Sequence, residues 1–297
     1  MIRSLISGFS GNRPTSWTIR STPISSSEVL AYNGSIFTCQ TGGMDIYTST
    51  DGITWALKAE YVNFYAISAT YSTPSTLIMV GYNRDTLRAA IATSSDSVTW
   101  TLRTTTGFGT TAYIKGICWS GTYLVAVSDE GHIATSSSSG STWTQRAKSA
   151  NPFEDVAFGA GTYIAVGYRE LWTSTNGTTW TDRSSTAPNY SVYSAAYGNG
   201  LFVVVGSTGK ISTSPDGITW TQRTSPFGNT TINKVTYGDG KFVAVGRSGT
   251  IATSTDGITW VLSESPVTVD LLTVAYGANK FVAMGNSKTV ITSPTGL

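Results

Sequence analysis

The sequence predicts an all-β protein: one seven-bladed β-propeller with four antiparallel strands per blade. Three observations carry that prediction. Tryptophans recur at Trp17, Trp55, Trp100, Trp143, Trp180, Trp220 and Trp260, with gaps of 38, 45, 43, 37, 40 and 40 residues, a period that fits a four-stranded blade. Between successive tryptophans lie three more short runs in fixed order, such as INKVTYG from Ile232, KFVAVG from Lys241 and TIATS from Thr250. Each run is rich in β-branched or aromatic residues, and none shows a helical period. Finally, the last repeat stops within its turn, at ITSPTGL, while the first tryptophan strand, TSWTIR from Thr15, has no preceding third strand. Joined, the two ends make one complete blade, which removes a free sheet edge and ties the termini together. The chain therefore divides into an N-terminal arm, residues 1–14, and a propeller, residues 15–297.

Taken in order along a repeat, the first run ends in EVLAY, ISATY, GICWS, DVAFG, SAAYG, NKVTYG or LTVAYG. The second reads IFTCQ, LIMVG, YLVAV, YIAVG, LFVVVG, KFVAVG or KFVAMG, and the third reads IYTS, IATS or a close variant. The third run leads into a turn of the form Ser-x-Asp-Gly-x-Thr-Trp, with Asp51, Asp96, Asp216 and Asp256 at the acidic place and Asn176 in their stead once. A short carboxylate or amide here accepts hydrogen bonds from the turn's own backbone, Gly takes a positive φ, and Trp fills the gap between sheets. The turn resembles the Asp-box of bacterial-neuraminidase-like repeats, with most copies one residue shorter than the usual spacing. The copy from Ser136 to Trp143 keeps the longer spacing but has Ser138 in the aspartate's place.

Composition restricts the function. Charged residues make up 12% of the chain and the net charge is +2, which supplies no long-range field for nucleic acid or an anionic membrane. No run approaches the ~20 apolar residues needed to cross a bilayer, and no signal-peptide pattern is recognisable. Cys39 and Cys118 fall in different repeats and are expected to be free buried thiols. The turns contain no Asp-x-Asp-x-Asp-Gly series, so no metal is expected. No cofactor motif is present either. The neuraminidase-like repeat raises the possibility of glycoside hydrolysis, which needs an acid, a nucleophile and, for sialic acid, clustered arginines. The nearest fragment of that family's arginine motif is Arg13-Pro14, which lacks its central residue. A non-enzymatic protein is expected, with a degenerate sialidase-like glycosidase as the third reading. Arginines also recur after the tryptophan strand, at Arg20, Arg103, Arg146, Arg183 and Arg223, as a repeat feature able to hold a carbonyl or carboxylate at a blade edge.

The unit FVAVG-x-x-G-x-I-x-TS-x-DG-x-TW, seen from Phe202 to Trp220 and from Phe242 to Trp260, resembles that of the photosystem II assembly-factor propellers. It is equally similar to repeats in bacteriophage tail and particle-surface proteins. Near-identical Ser/Thr-rich blades without an export signal favour a virion component, made in the host cytoplasm and meeting other virion proteins or a host-surface glycan or protein. The alternative is a cellular assembly or scaffold factor in the cytoplasm. One propeller serves many purposes, so either role is an expectation.

Strand order places the second-to-third hairpins and the blade-to-blade connections on one face, and the Asp-box turns on the other. The turns repeat themselves, whereas the hairpins differ: TGGMD, YNRDTLR, SDEGH, YRE, STGK, RSG and NSK. Recognition is expected on this variable face. Candidate residues are the connection aromatics Tyr61, Phe108, Phe153, Tyr190 and Phe227, together with Arg169 and Arg247. The enlarged second hairpin, with Tyr82, Asn83, Arg84, Asp85 and Arg88, is the strongest local candidate, suited to a sugar face or a protein hot spot. In the arm, Ile2, Leu5, Ile6 and Phe9 fall on one face of a short helix and offer a docking surface for a neighbouring subunit.

Overall fold

The structure is a computed structural model that describes residues 16–60, 63–73, 75–109, 111–137 and 139–294. Tyr61 and the arm residues Ile2, Leu5, Ile6 and Phe9 lie outside the described residues. Seven four-stranded antiparallel sheets form, each in simple sequence order, and three single-turn 3-10 segments are the only helical elements among the described residues.

The first strand of each blade is the innermost. These strands are Val29–Tyr32, Tyr65–Thr73, Ile114–Trp119, Phe153–Gly159, Val192–Gly198, Ile232–Gly238 and Leu271–Gly277, numbered here as blades 1 to 7. They pack side by side around a central channel, with blade 7 meeting blade 1. The fourth strand of blade 7 is Thr18–Arg20, which pairs Thr18 with Thr292, Ile19 with Ile291 and Arg20 with Val290. The split repeat thus closes the ring as expected, although the strand itself begins at Thr18.

Second strands are buried on both faces because a blade packs against a neighbour on each side. This is why Phe202–Gly206 reads as an unbroken apolar run with no alternation. Between blades 5 and 6, for example, Val203, Val205 and Ile211 meet Ile232, Val235, Phe242 and Trp260. Close approach also dictates small residues. A side chain on Gly198, at the end of the blade 5 inner strand, would place its Cβ 2.1 Å from the Tyr237 ring of blade 6.

Two expectations are corrected by this packing. Phe108, Phe153, Tyr190 and Phe227 are all buried, so they are not available on the variable face. Each lies where the chain returns from the outer strand of one blade toward the axis, and each fills the top of the wedge between two blades. Phe108 lies 5.7 Å from Trp143 between ring centroids, Phe153 stands edge-on to Trp172 at 6.3 Å, and the Tyr190 hydroxyl donates to the Val204 carbonyl and lies 3.0 Å from Ser212 Oγ. The second correction concerns the cysteines, both free: Cys39 is buried, but Cys118 is only half-buried.

Candidate binding face at the channel mouth

The Asp-box turns are closed networks. In blade 5, Ser214 Oγ donates to Asp216 Oδ1 (2.8 Å) and accepts from Gly217 N (2.8 Å). Asp216 Oδ1 also accepts from Ile218 N (2.8 Å) and Thr219 N (2.9 Å), and Trp220 Nε1 donates to the Gly217 carbonyl. Asp51, Asn176 and Asp256 repeat the pattern, and Asp96 repeats its backbone bonds, but there Ser97 takes the glycine's place and Trp100 Nε1 has no partner. Gly217 has φ +76°, and a Cβ there would lie 2.7 Å from Ile164 of blade 4, so the turn and its tryptophan lock onto the preceding blade. Trp17, Trp55, Trp143 and Trp260 are buried, and Trp100, Trp180 and Trp220 half-buried. Among the described residues no three His, Cys, Asp or Glu side chains gather as a metal site.

These bonds give the fold an acid limit. The backbone N–H groups of Thr99 and Val98 hold the Asp96 carboxyl down to about 2, from an ordinary 3.8. Asp216 is lowered by Thr219 and Ile218 N–H, and Asp256 by Thr259 N–H. At Asp51 burial is the largest influence and raises the value, but the N–H groups of Thr54 and Ile53 outweigh it and the net shift is down. A carboxyl held low when folded stabilises the fold above its unfolded pKa, and that contribution vanishes as pH falls through the folded value. Melting temperature should therefore drop steeply between about pH 4 and pH 2, and circular-dichroism melts across that range will test it. Asp216→Asn, which leaves the turn uncharged like that of Asn176, should make the drop shallower.

The opposite face is built differently. In blades 2 to 7 the pairing of first and second strands slips by one residue near the start of the inner strand. The extra residues are Ile67, Lys115, Glu154, Tyr193, Asn233 and Leu272, one per blade. A bulge leaves its extra residue out of the ladder and re-aims its side chain. Here it does so at one structural position around the mouth of the channel, with two aliphatic residues, one basic, one acidic, one phenolic and one amide. Lys115 Nζ lies 3.3 Å from Glu154 Oε2, joining blades 3 and 4. Asn233 Nδ2 donates to the Leu271 carbonyl of blade 7 at 2.7 Å. Tyr193 is 37% exposed.

One position further on stands Asp155, nearly fully buried. Its carboxylate accepts from Val156 N (2.9 Å), from Ala195 N of blade 5 (3.0 Å) and from Lys234 Nζ of blade 6 (3.2 Å). Blade 6 reaches blade 4 past blade 5 only along the axis, so this bond places the group in the channel. Burial pushes the Glu154 carboxyl up from its ordinary value, with Lys115 acting in the opposite direction. Asp129, at the neighbouring hairpin, is also raised by burial, opposed by its hydrogen bond from Tyr113 N.

The enlarged hairpin of blade 2 is mostly self-satisfied. Asn83 Oδ1 accepts from Asp85 N and Thr86 N, while Asn63 Nδ2 donates to Asp85 Oδ2. Tyr82 is stacked on both sides, by Tyr65 at 5.2 Å and by Tyr113 of blade 3 at 4.5 Å. With both ring faces covered it offers no platform for a sugar, which corrects that part of the expectation; it clasps two blades and shows solvent an edge. Arg84 and Arg88 remain exposed. At blade 4, Tyr168 is 52% exposed, with the Arg169 guanidinium 5.5 Å from its ring centre. Tyr168 also bridges to Ser191, two residues before Tyr193. Arg247 is exposed on the hairpin of blade 6.

The bulge residues at the channel mouth were not among the candidates named from the sequence. The signal was present: four residues before the aromatic that ends each inner run, the repeats read Glu28, Ile67, Lys115, Glu154, Tyr193, Asn233 and Leu272, while the position before it is apolar in six of the seven repeats.

Comparison with known proteins bears on the fold. A family model described as the DUF6242 beta propeller domain matches residues 198–296. No curated protein sequence matches the chain. Among solved structures, YCF48 bound to D1 peptide is similar with a TM-score of 0.74 at 14% identity, over 96% of this chain and 98% of that one. A chain of a mitotic checkpoint complex gives 0.71 at 13% identity, over 100% and 99%. Virginiamycin B lyase from Staphylococcus aureus, in a catalytically inactive form with quinupristin, gives 0.80 at 11% identity, over 95% and 99%. Architecture is shared across these different activities, and the chain is a seven-bladed β-propeller.

Proposed function

We propose that this propeller is a non-catalytic recognition protein that binds a protein partner, as an extended segment or exposed loop, across the channel mouth of its variable face. The observation that carries the reading is the bulge position, which presents aliphatic, basic, acidic, phenolic and amide side chains around one rigid ring. Exposed Tyr168 and Tyr193 with Arg169 supply the residue types that dominate protein interfaces. The hairpins of blades 5 to 7 contribute Lys210, Arg247 and Lys288, against one carboxylate beside them, Asp270, which is engaged by Ser248 N, a charge pattern suited to an acidic stretch beside the aromatic contact. Support for a binding rather than a catalytic role comes from the carboxylates: those of the turns are spent on backbone donors, Glu154 on Lys115, and Asp155 on Ala195 and Lys234. Of the two settings that the repeat unit resembles, we infer the cellular assembly or scaffold factor, because the similar folds include a propeller solved with a peptide. The virion setting has the repeat unit alone behind it.

Panning a random peptide library on the immobilised full chain will test this. Selected peptides should lose about 30-fold in affinity for Tyr193→Ala or Arg169→Ala. Peptides that ignore both changes but are lost with Asp239→Arg, on the turn face, would sink the reading.

A further inference from the structure

The outer strand of each blade places a cation at one fixed position, three residues after the tryptophan: Arg20, Lys58, Arg103, Arg146, Arg183 and Arg223, with Ser263 in the remaining blade. Four of the arginines are held alike. Nε of Arg20, Arg103, Arg146 and Arg223 donates to the hydroxyl of Thr292, Thr93, Thr135 and Thr213 on the adjacent third strand, at 2.7–2.8 Å. One edge of the guanidinium is thereby fixed and the Nη edge is left for another group. Among the described residues none of the six cations is in an ion pair, since the two pairs present both use channel lysines.

Two of these arginines stand in clefts on the flank of the ring. Arg223 lines a cleft of about 440 Å³ between blades 5 and 6, with Thr224, Ser225 and Thr259 as hydroxyl walls and Pro226 and Trp260 as apolar ones. Arg103 lines a differently built cleft of about 330 Å³, walled by Thr76, Thr93, Ser94, Ser95, Thr99 and Thr101 of its own blade with Ser139 of blade 3. Both fall within the usual range of a small-ligand site, about 300–1,000 Å³.

We propose that these flank clefts bind carboxylated sugar residues, so that an acidic polysaccharide lies along the outside of the ring with one guanidinium gripping one carboxylate in each cleft. A guanidinium with a free edge takes a carboxylate in two parallel hydrogen bonds. The rows of Ser and Thr hydroxyls match a sugar's hydroxyls, and Pro226 with Trp260 matches its C–H face. An acidic peptide would satisfy the arginine but bring methylene stems to the hydroxyl walls. A polyphosphate would need the long-range field that a net charge of +2 does not provide. Two arginine clefts on one ring make the binding bivalent, so weak single sites add up along a polymer. The site is separate from the channel mouth and stands or falls independently of it.

Titration calorimetry with oligogalacturonate tests the proposal, using its neutral methyl ester and poly-glutamate of equal charge as comparisons. The free acid should bind the full chain, and the ester and poly-glutamate about tenfold or more weakly. Arg103→Gln with Arg223→Gln should lower oligogalacturonate affinity at least about tenfold, and Arg223→Lys, which keeps charge but not the fork, should fall in between. Should the glutamines unfold the blade edge, Ser225→Ala with Thr259→Ala probes the cleft wall without touching the arginine, and is expected to weaken binding. Absence of binding by the wild type, equal binding of poly-glutamate, full affinity in Arg223→Lys, or loss of binding in Tyr193→Ala would each overturn the assignment.

Discussion

Asp155→Ala should destabilise the protein by about 3 kcal/mol, because it removes the one buried charge that ties three blades together. The substitution strands Ala195 N without an acceptor and leaves Lys234 without its partner. Loss of a buried donor's partner alone costs about 1–3 kcal/mol. The lysine contributes less than a fully buried cation would, since its side chain is 32% exposed and can turn to water. Lys115→Ala provides the contrast: that pair spans blades too, but both side chains are 28% exposed, and the expected cost is below about 1 kcal/mol. Asp155→Asn should fall between them, keeping an acceptor for Ala195 N while giving up the charge. Urea denaturation will rank the three by midpoint, provided the slope is unchanged. Equal midpoints for Asp155→Ala and Lys115→Ala would show that the axis is held by apolar packing alone.

Asp155 also shows where reading the sequence stops. The architecture was legible because it is written in local, repeated chemistry: apolar second strands, a turn that satisfies itself within six residues, and a tryptophan after each turn. The ring closure was legible from how one repeat is divided between the two ends. Asp155 carries no such local mark. Its partners lie 40 and 79 residues away, on blades whose own sequences give no hint of it, so it reads as one more unpaired carboxylate. The connection aromatics failed for a related reason. Phe108 and Phe227 stand in segments that are irregular and outside the period, which suggests a surface loop, yet each must cross from rim to axis and pass over an apolar wedge that needs filling. Tyr193 was hidden differently: a bulge shifts the alternation by one residue, so a position that looks internal in the strand pattern faces the channel mouth.

Closure of the ring carries the other large effect. Trp17→Ala should cost about 3–5 kcal/mol, since Trp17 is buried among Val243 and Val245 of blade 6 and Phe281, Ala283 and Ile291 of blade 7. Only three residue pairs join Thr18–Arg20 to Val290–Thr292, so the strand is held as much by this indole and by the Arg20–Thr292 hydrogen bond as by its ladder. Removing residues 1–20 goes further and turns Val290–Thr292, buried at every position, into an open edge. An unpaired apolar edge recruits another chain, so the truncated protein should elute as concentration-dependent oligomers where the full chain does not. A synthetic peptide spanning residues 15–22 should return it to the size of the full chain. A truncated protein that keeps both the size and the urea midpoint of the full chain would mean that six complete blades and an open seventh suffice, and that the split repeat protects an edge which needs no protection. Rescue by the peptide, in contrast, would show that the strand acts through the edge it covers, because the peptide restores the pairing and the tryptophan without restoring the covalent tie between the two ends of the chain.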